Sequence, residues 1–208
     1  MKKVIPLMIM FCLLANFIHA QVSFGVQAGV SLASYKASNE GVSATSKTKA
    51  GFSGGFVASI DISNGLSFRP ELNFLQKGGT VKENDVTDKL TLNYLELPLN
   101  FTYHVKLGEG KLFFGLGPVL AYGLSGTDKN SENPEDYKIK FGNSDDADLK
   151  PLEIGGNVLA GYQLGNGLFL AANYNFGLNN ISPASDIKDH NRYFGIRLGF
   201  MFETKKAK

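Results

Sequence analysis

Five charged residues occupy polar positions in segments where apolar and polar residues alternate, so that all five lie on the polar face of these segments. They are Arg69, Glu71, Glu96, Glu153 and Arg197. If these segments form a narrow closed sheet, the charges point into its interior, where an unpaired ion is very costly. We therefore expect an internal ion-pair network that plugs the lumen. The alternatives are a gated ion path or a pair of catalytic carboxylates, although two nearby arginines would keep the carboxylates ionised.

The segment that best defines these positions runs from Tyr94 to Tyr122. Large apolar residues occupy every second position from Leu95 to Val105, and the alternation resumes after a glycine-containing turn at 107–110. Period-two alternation is typical of a strand with one apolar and one polar face. Eleven residues at about 3.3 Å each, tilted by about 40°, span roughly 25 Å, which is the apolar height of a membrane barrel.

The same alternation recurs along the chain and predicts eight strands. Their approximate bounds are 22–33, 50–62, 66–74, 95–105, 112–122, 152–164, 168–178 and 194–202. The connections alternate between short turns and long polar stretches, the latter at 35–49, 77–89, 125–150 and 180–191. This rhythm predicts an all-β fold, an eight-stranded antiparallel up-and-down transmembrane β-barrel with short periplasmic turns and long outer loops.

The composition of the polar face indicates which face is inside. It consists mainly of Gly, Ser, Ala, Asn and Gln, whereas a solvated outer face would be dense in charge. An eight-stranded barrel has only side-chain-filled space inside, so the small polar residues point inward and Phe and Leu point to lipid. Aromatic residues near the short-turn rim should form a periplasmic aromatic girdle. They are Phe24, Phe68, Phe101, Tyr103, Phe114, Tyr162, Phe200 and Phe202.

The first twenty residues predict a signal peptide, because Lys2 and Lys3 precede a short apolar run that ends at Ala20. We expect the barrel domain over 21–203 and a basic tail over 204–208. Removal of Lys2 and Lys3 from the 21 basic residues leaves 19, equal to the 19 acidic residues. This balance argues against nucleic acid as a partner. The only cysteine, Cys12, lies in the signal peptide, and no cofactor or metal site is expected.

Two motifs carry a resemblance to a known family. Tyr94-Leu95-Glu96-Leu97-Pro98-Leu99 and the Phe114–Pro118 sequence FGLGP, together with the signal peptide and the eight-strand rhythm, resemble the PorT-like outer-membrane β-barrel family. The resemblance covers essentially the whole mature chain. It implies a small barrel of the OmpX or OmpA type in the outer membrane of Gram-negative bacteria, and most such proteins have no assigned reaction.

The resulting functional expectation is a structural or interaction role through the long loops, without catalysis. Expected partners are outer-membrane lipids and another membrane or secretion component, and the protein should be a monomer. A narrow pore is the first alternative. A surface enzyme is another, in which His190 in the last loop would act with Asp186 and Asp189. A secreted soluble binding barrel is the third, since it would show the same alternation.

Overall fold

The computed structural model describes residues 22–39, 42–83, 86–132, 135–144, 146–184 and 186–202. These residues contain ten strands. Their bounds are β1 Val22–Asn39, β2 Val42–Thr45, β3 Lys49–Ser63, β4 Leu66–Glu83, β5 Val86–Leu107, β6 Gly110–Asn130, β7 Tyr137–Ile139, β8 Leu152–Gln163, β9 Leu168–Gly177 and β10 Ile187–Phe202. The expected signal peptide and basic tail lie outside the described residues.

Eight long strands form a closed antiparallel ring. Neighbouring strands follow the order β1, β3, β4, β5, β6, β8, β9 and β10, and β10 pairs with β1 to complete the circle. The closing seam runs from Phe24 opposite Phe202 to Asn39 opposite Ile187. The short strands β2 and β7 extend β1 and β6 at one rim. The eight-stranded up-and-down barrel predicted from the sequence is confirmed.

Three tight turns define one rim of the barrel. They contain Gly65, Gly108 and Gly167, whose φ angles are 84°, 60° and 94°. Glycine adopts this left-handed backbone at little cost because it has no Cβ. A Cβ at Gly167 would lie 2.4 Å from the Met201 carbonyl oxygen, so the turn also needs the missing side chain for close approach. We call this end the short-turn rim and the opposite end the long-loop rim.

The connections at the long-loop rim differ from the expected loops. β4 continues to Glu83 and β5 begins at Val86, so most of 77–89 is a strand pair and not a loop. β1 and β6 likewise continue to Asn39 and Asn130. Backbone hydrogen bonds between strands do not depend on apolar side chains. The strands therefore continue beyond the residues in which apolar and polar side chains alternate. The predicted strand ends were therefore wrong at this rim.

The outer wall is apolar and the inner wall is polar. Exposed side chains on the wall include Phe56, Leu116 and Leu170, whereas Asn73, Glu96 and Asn100 are completely buried inside. The interior is therefore filled by side chains, as expected for eight strands. Within the described residues, no helix is long and apolar enough to cross a membrane.

Candidate functional site in the barrel lumen

Among the described residues, six buried acidic and basic side chains form one connected group in the lumen. Arg69, Glu71 and Lys77 come from β4, Glu96 from β5, Glu153 from β8 and Arg197 from β10. Each of these residues is no more than 4% exposed. Three positive and three negative charges give the group a formal charge of zero. We call these six residues the lumen network.

Glu71 is the centre of the half of the network nearer the short-turn rim. Its Oε2 lies 2.8 Å from Arg197 Nη1, and its Oε1 lies 3.3 Å from Arg69 Nε. Gln27 Nε2 and Asn73 Nδ2 also donate to Oε2, at 2.8 and 3.1 Å. These charged and neutral donors replace the water that the carboxylate loses, which is what burial of an ion requires.

Lys77 is the centre of the half nearer the long-loop rim. Its Nζ lies 2.8 Å from Glu153 Oε1 and 3.2 Å from Glu96 Oε2. Asn191 Nδ2 donates to Glu153 Oε2 at 2.8 Å. One ammonium group therefore joins two carboxylates that come from strands on different sides of the ring.

Tyr193 and Arg197 connect the two halves. The Tyr193 hydroxyl donates to Glu96 Oε1 at 2.6 Å and accepts from Arg197 Nη2 at 3.0 Å. Arg197 Nη2 also lies 4.0 Å from Glu96 Oε1. A continuous chain of contacts thus runs from Arg69 to Glu153, so that removal of one member changes the surroundings of the others.

Aromatic rings cover two of the cations. The Arg69 guanidinium carbon lies 4.9 Å from the centre of the Phe113 ring and 4.7 Å from that of Phe169. Lys77 Nζ lies 4.9 Å from the Tyr94 ring centre and 5.5 Å from that of Tyr193. Such cation–π contacts stabilise a desolvated cation. They also fill the cross-section of the lumen with large side chains.

An asparagine row crosses the lumen beside the charges. Asn157 Nδ2 donates to Asn100 Oδ1 at 2.9 Å, and Asn173 Nδ2 donates to Asn157 Oδ1 at 3.0 Å. These residues lie on β5, β8 and β9 and are all buried. These neutral amides continue the hydrogen bonding of the lumen from β5 to β8 and β9.

The long-loop rim is closed by an apolar cluster that we call the cap. It contains Leu92, Tyr94, Ala121, Leu149 and Ile181, each at most 5% exposed. Backbone hydrogen bonds hold the loop segments in place, with Lys150 N donating to Ile181 O at 2.7 Å and Gly123 N to Pro151 O at 2.8 Å. The stretches 125–150 and 180–191 were expected to be long outer loops, and one apolar residue of each, Leu149 and Ile181, folds into the barrel mouth.

The two arginines of the lumen network bind carboxylates through single contacts. Within the described residues, neither Arg69 nor Arg197 forms a bidentate pair with a carboxylate. Glu71 instead divides its two oxygens between the two guanidinium groups. Glu153 pairs with Lys77 and not with an arginine.

Lys77 is the network member that sequence reasoning missed, because the charged stretch 77–89 was interpreted as a loop. Two signals could have found it. The inward positions Arg69, Glu71 and Asn73 continue in steps of two to Lys77. The five expected residues also contain three carboxylates and only two cations, and an uncompensated buried charge calls for one more cation.

The two described histidines, His104 and His190, occupy separate positions. His104 Nε2 lies 3.2 Å from the Thr102 hydroxyl near the short-turn rim, where a cavity of about 450 Å³ is lined by Asp61, His104 and Lys111. His190 belongs to β10, opposite Lys36, and not to the last loop. Asp189, its neighbour, is buried on the opposite face. Among the described residues, no group of three or more His, Cys, Asp or Glu could hold a metal ion.

The eight aromatic residues of the expected girdle lie on the outer wall near the short-turn rim. Six are exposed, and Phe68 and Tyr162 are partly exposed. The rings of Phe68 and Phe101 lie 5.3 Å apart across two strands. The Tyr162 hydroxyl donates to the Leu107 carbonyl at 2.9 Å, which ties one ring to the rim.

Residues 16–182 match the model of the family described as "Outer membrane protein beta-barrel domain". Comparison with curated protein sequences finds no significant match. Among solved structures, Neisserial surface protein A has 18% identity and a TM-score of 0.50, with 87% of this chain and 99% of that chain covered.

Two further structures are similar with lower scores. The attachment invasion locus protein Ail of Yersinia pestis has 14% identity and a TM-score of 0.42, with 86% of this chain and 99% of that chain covered. OprG from Pseudomonas aeruginosa has 13% identity and a TM-score of 0.45, with 89% of this chain and 98% of that chain covered.

Proposed function

Because the chain belongs to the outer membrane protein β-barrel domain family, we propose that it is a closed barrel that acts through its surface, as a structural or interaction protein and not as an enzyme. Family membership gives it an outer membrane location. The finer assignment to PorT-like barrels of Gram-negative bacteria remains our proposal, as do the cleaved signal peptide and the monomeric state.

The lumen network is the observation that carries this proposal. Six ionisable side chains neutralise one another across the interior, and four aromatic rings pack against their cations. A water-filled channel would solvate such charges, and they would not need each other. The cap adds a second closure at the long-loop rim, where Leu92 and Ile181 are completely buried.

Conductance across planar bilayers tests the closed state. Wild-type protein should show no steady conductance. Arg197→Ala leaves Glu71 without its 2.8 Å partner and should destabilise the barrel by about 3–5 kcal/mol. It should also open a small conductance, because the guanidinium group no longer fills the space. Arg192→Ala, on the outer wall of the same strand, is the matched control and should leave conductance unchanged.

A double-mutant cycle identifies the origin of the effect. Glu71→Gln combined with Arg197→Ala should recover part of the lost stability, because the unpaired carboxylate is removed. Steady conductance of the wild type, together with strict additivity of the two substitutions, would overturn the plug. That result would support the narrow pore, which the polar character of the lumen favours as the second candidate.

The long-loop rim is proposed to face outward, where it would contact another membrane or secretion component. A protease site inserted directly after Glu132 should be cut on intact cells, because Ser131 and Glu132 follow the end of β6 and are exposed. A site at Gly165–Gly167, in the short turn between β8 and β9, should be protected. Protection of the first site with cutting of the second would reverse the orientation.

A further inference from the structure

We propose that a collar of basic side chains at the long-loop rim binds the phosphate groups of a phosphorylated glycolipid of the outer leaflet, of the lipopolysaccharide class. The collar consists of Lys36, Lys47, Lys89, Lys129, Lys188 and Arg192. All six side chains are exposed, and the strand register puts them on the outer, lipid-facing wall. The inference rests on the proposed outward orientation of this rim.

Near the long-loop rim, acidic residues lie on the inner face of the strands and basic residues on the outer face. On the long-loop half of the strands, the described carboxylates alternate inward: Asp88, Asp128, Glu153 and Asp189. The basic residues next to them, Lys89, Lys129 and Lys188, point the other way. The outer wall is therefore positive although the mature chain has equal numbers of acids and bases.

One part of the collar is a lateral row across neighbouring strands. Lys47 bridges Thr80, Thr80 lies opposite Lys89, and Lys89 lies opposite Lys129. Like charges directly opposite each other in a sheet are destabilising. Lys129 has an ion pair with Asp136 at 2.7 Å, but both side chains are about half exposed, so the pair contributes little. An anion seated over this row would relieve the repulsion.

The other part of the collar lies at the closing seam. Lys36 is opposite His190, so Lys188 and Arg192 are its two diagonal neighbours on the same face. Diagonal neighbours in a sheet lie about 7–8 Å apart. Three cations at this spacing can contact one phosphate group or two adjacent ones. Arg192 Nε also donates to the Ser34 hydroxyl at 3.0 Å, which orients its guanidinium group.

The height of the collar identifies a lipid headgroup as the ligand. Arg192 is the next outward residue after Phe194, which is 41% exposed on the apolar wall. Lys36 follows Leu32 by two outward positions, which is about 13 Å of strand at 3.3 Å per residue. Headgroups flank the hydrocarbon core within this range, and lysine stems reach several ångströms toward it. A soluble partner would not need cations that border the lipid-facing wall.

Thermal unfolding in nanodiscs provides the test. The wild-type barrel is placed in phosphatidylcholine nanodiscs with added lipopolysaccharide, dephosphorylated lipopolysaccharide or phosphatidylglycerol, and in plain nanodiscs with inorganic phosphate. Lipopolysaccharide should raise the unfolding midpoint, and its dephosphorylated form, phosphatidylglycerol and inorganic phosphate should do so by less than half as much.

Paired substitutions assign the effect to the collar. Lys47→Gln/Lys89→Gln and Lys36→Gln/Lys188→Gln should each weaken lipopolysaccharide binding at least tenfold, since each surface cation contributes about fivefold. Lys106→Gln/Lys111→Gln, at the short-turn rim, removes the same charge and should bind as the wild type does. Circular dichroism establishes that each variant is folded before binding is compared.

Four outcomes would overturn the binding of phosphate groups by the collar, and a fifth would overturn the identity of the lipid. They are equal stabilisation by dephosphorylated lipopolysaccharide, equal stabilisation by inorganic phosphate, unchanged binding by both collar variants, and equal loss in the Lys106/Lys111 control. Stabilisation by phosphatidylglycerol that equals that by lipopolysaccharide would assign the collar to any acidic lipid and reject the outer-leaflet ligand. Reversed protease accessibility would instead contradict the orientation of the barrel, so the two failures are distinguishable.

Discussion

The two halves of the lumen hold a buried cation in different ways. Near the short-turn rim, Arg69 has one carboxylate partner, Glu71 at 3.3 Å, and lies between two phenylalanine rings. Near the long-loop rim, Lys77 has two carboxylate partners at 2.8 and 3.2 Å. Its ring neighbours are tyrosines, one of which donates its hydroxyl to Glu96.

The difference follows from the chemistry of the two cations. A guanidinium group is planar, delocalised and weakly hydrated, so it tolerates burial between aromatic faces with few acceptors. An ammonium group is a compact and strongly hydrated charge, so its burial requires carboxylates on more than one side. Arg69 is therefore held mostly by aromatic packing with one ion pair, whereas Lys77 is held mostly by its two carboxylates.

Of the two cations compared, Lys77 should have the larger effect on stability when it is removed. Lys77→Met keeps the length of the side chain but leaves Glu96 and Glu153 without their shared cation, which should cost about 3–5 kcal/mol of unfolding free energy. Arg69→Met should cost less, because Glu71 keeps Arg197 at 2.8 Å and two amide donors. Urea-induced unfolding in lipid vesicles measures both values.

Neutralisation of a partner separates charge from packing at this site. Glu153→Gln in the Lys77→Met background should recover part of the loss, since only one buried carboxylate then lacks a cation. Equal destabilisation by Lys77→Met and Arg69→Met, with no recovery by Glu153→Gln, would contradict the distinction between the two halves.

The sequence predicted the strands of the short-turn half better than those of the long-loop half. The apolar wall from Leu95 to Val105 alternates strictly because every outward residue meets lipid, so strand number, facing and closure could be predicted. The inward positions of Arg69, Glu71 and Arg197 were recognised because the strands that contain them show the same alternation. Lys77 lies where Gln76 and Gly78 replace the outward apolar residues, so the apolar alternation alone did not distinguish its strand from a loop.

The cap could not be predicted for a related reason. Leu149 and Ile181 are single apolar residues within polar stretches, and no period connects them to Leu92 or Tyr94. Their contact depends on how two irregular segments meet over the barrel mouth. The pairing of Lys77 with Glu153, 76 residues apart, likewise depends on the tertiary arrangement of β4 and β8.

An arginine introduced on the outer wall tests whether the lumen, with its acceptors and aromatic rings, is required to stabilise a charge at the height of Arg69. Leu99 lies on the outer face of β5, next to Asn100, which pairs with Arg69 in the sheet register. Leu99→Arg should cost about 2–4 kcal/mol if this position faces the hydrocarbon core. Leu99→Met is the conservative control and should cost under about 1.5 kcal/mol. Normal folding of Leu99→Arg into vesicles would show that the assignment of faces is wrong at this height.

The smallest expected effect concerns the aromatic contacts of Arg69. Arg69→Lys retains the positive charge beside Glu71 but loses the planar surface between Phe113 and Phe169, so we expect a cost of about 1–2 kcal/mol. If the rings stabilise Arg69 by cation–π contact, Phe169→Leu should reduce the difference between arginine and lysine. Unfolding free energies of the two single variants and the double variant give this coupling. Strict additivity would mean that Phe169 only fills space, and that Glu71 alone distinguishes this half of the lumen from the half around Lys77.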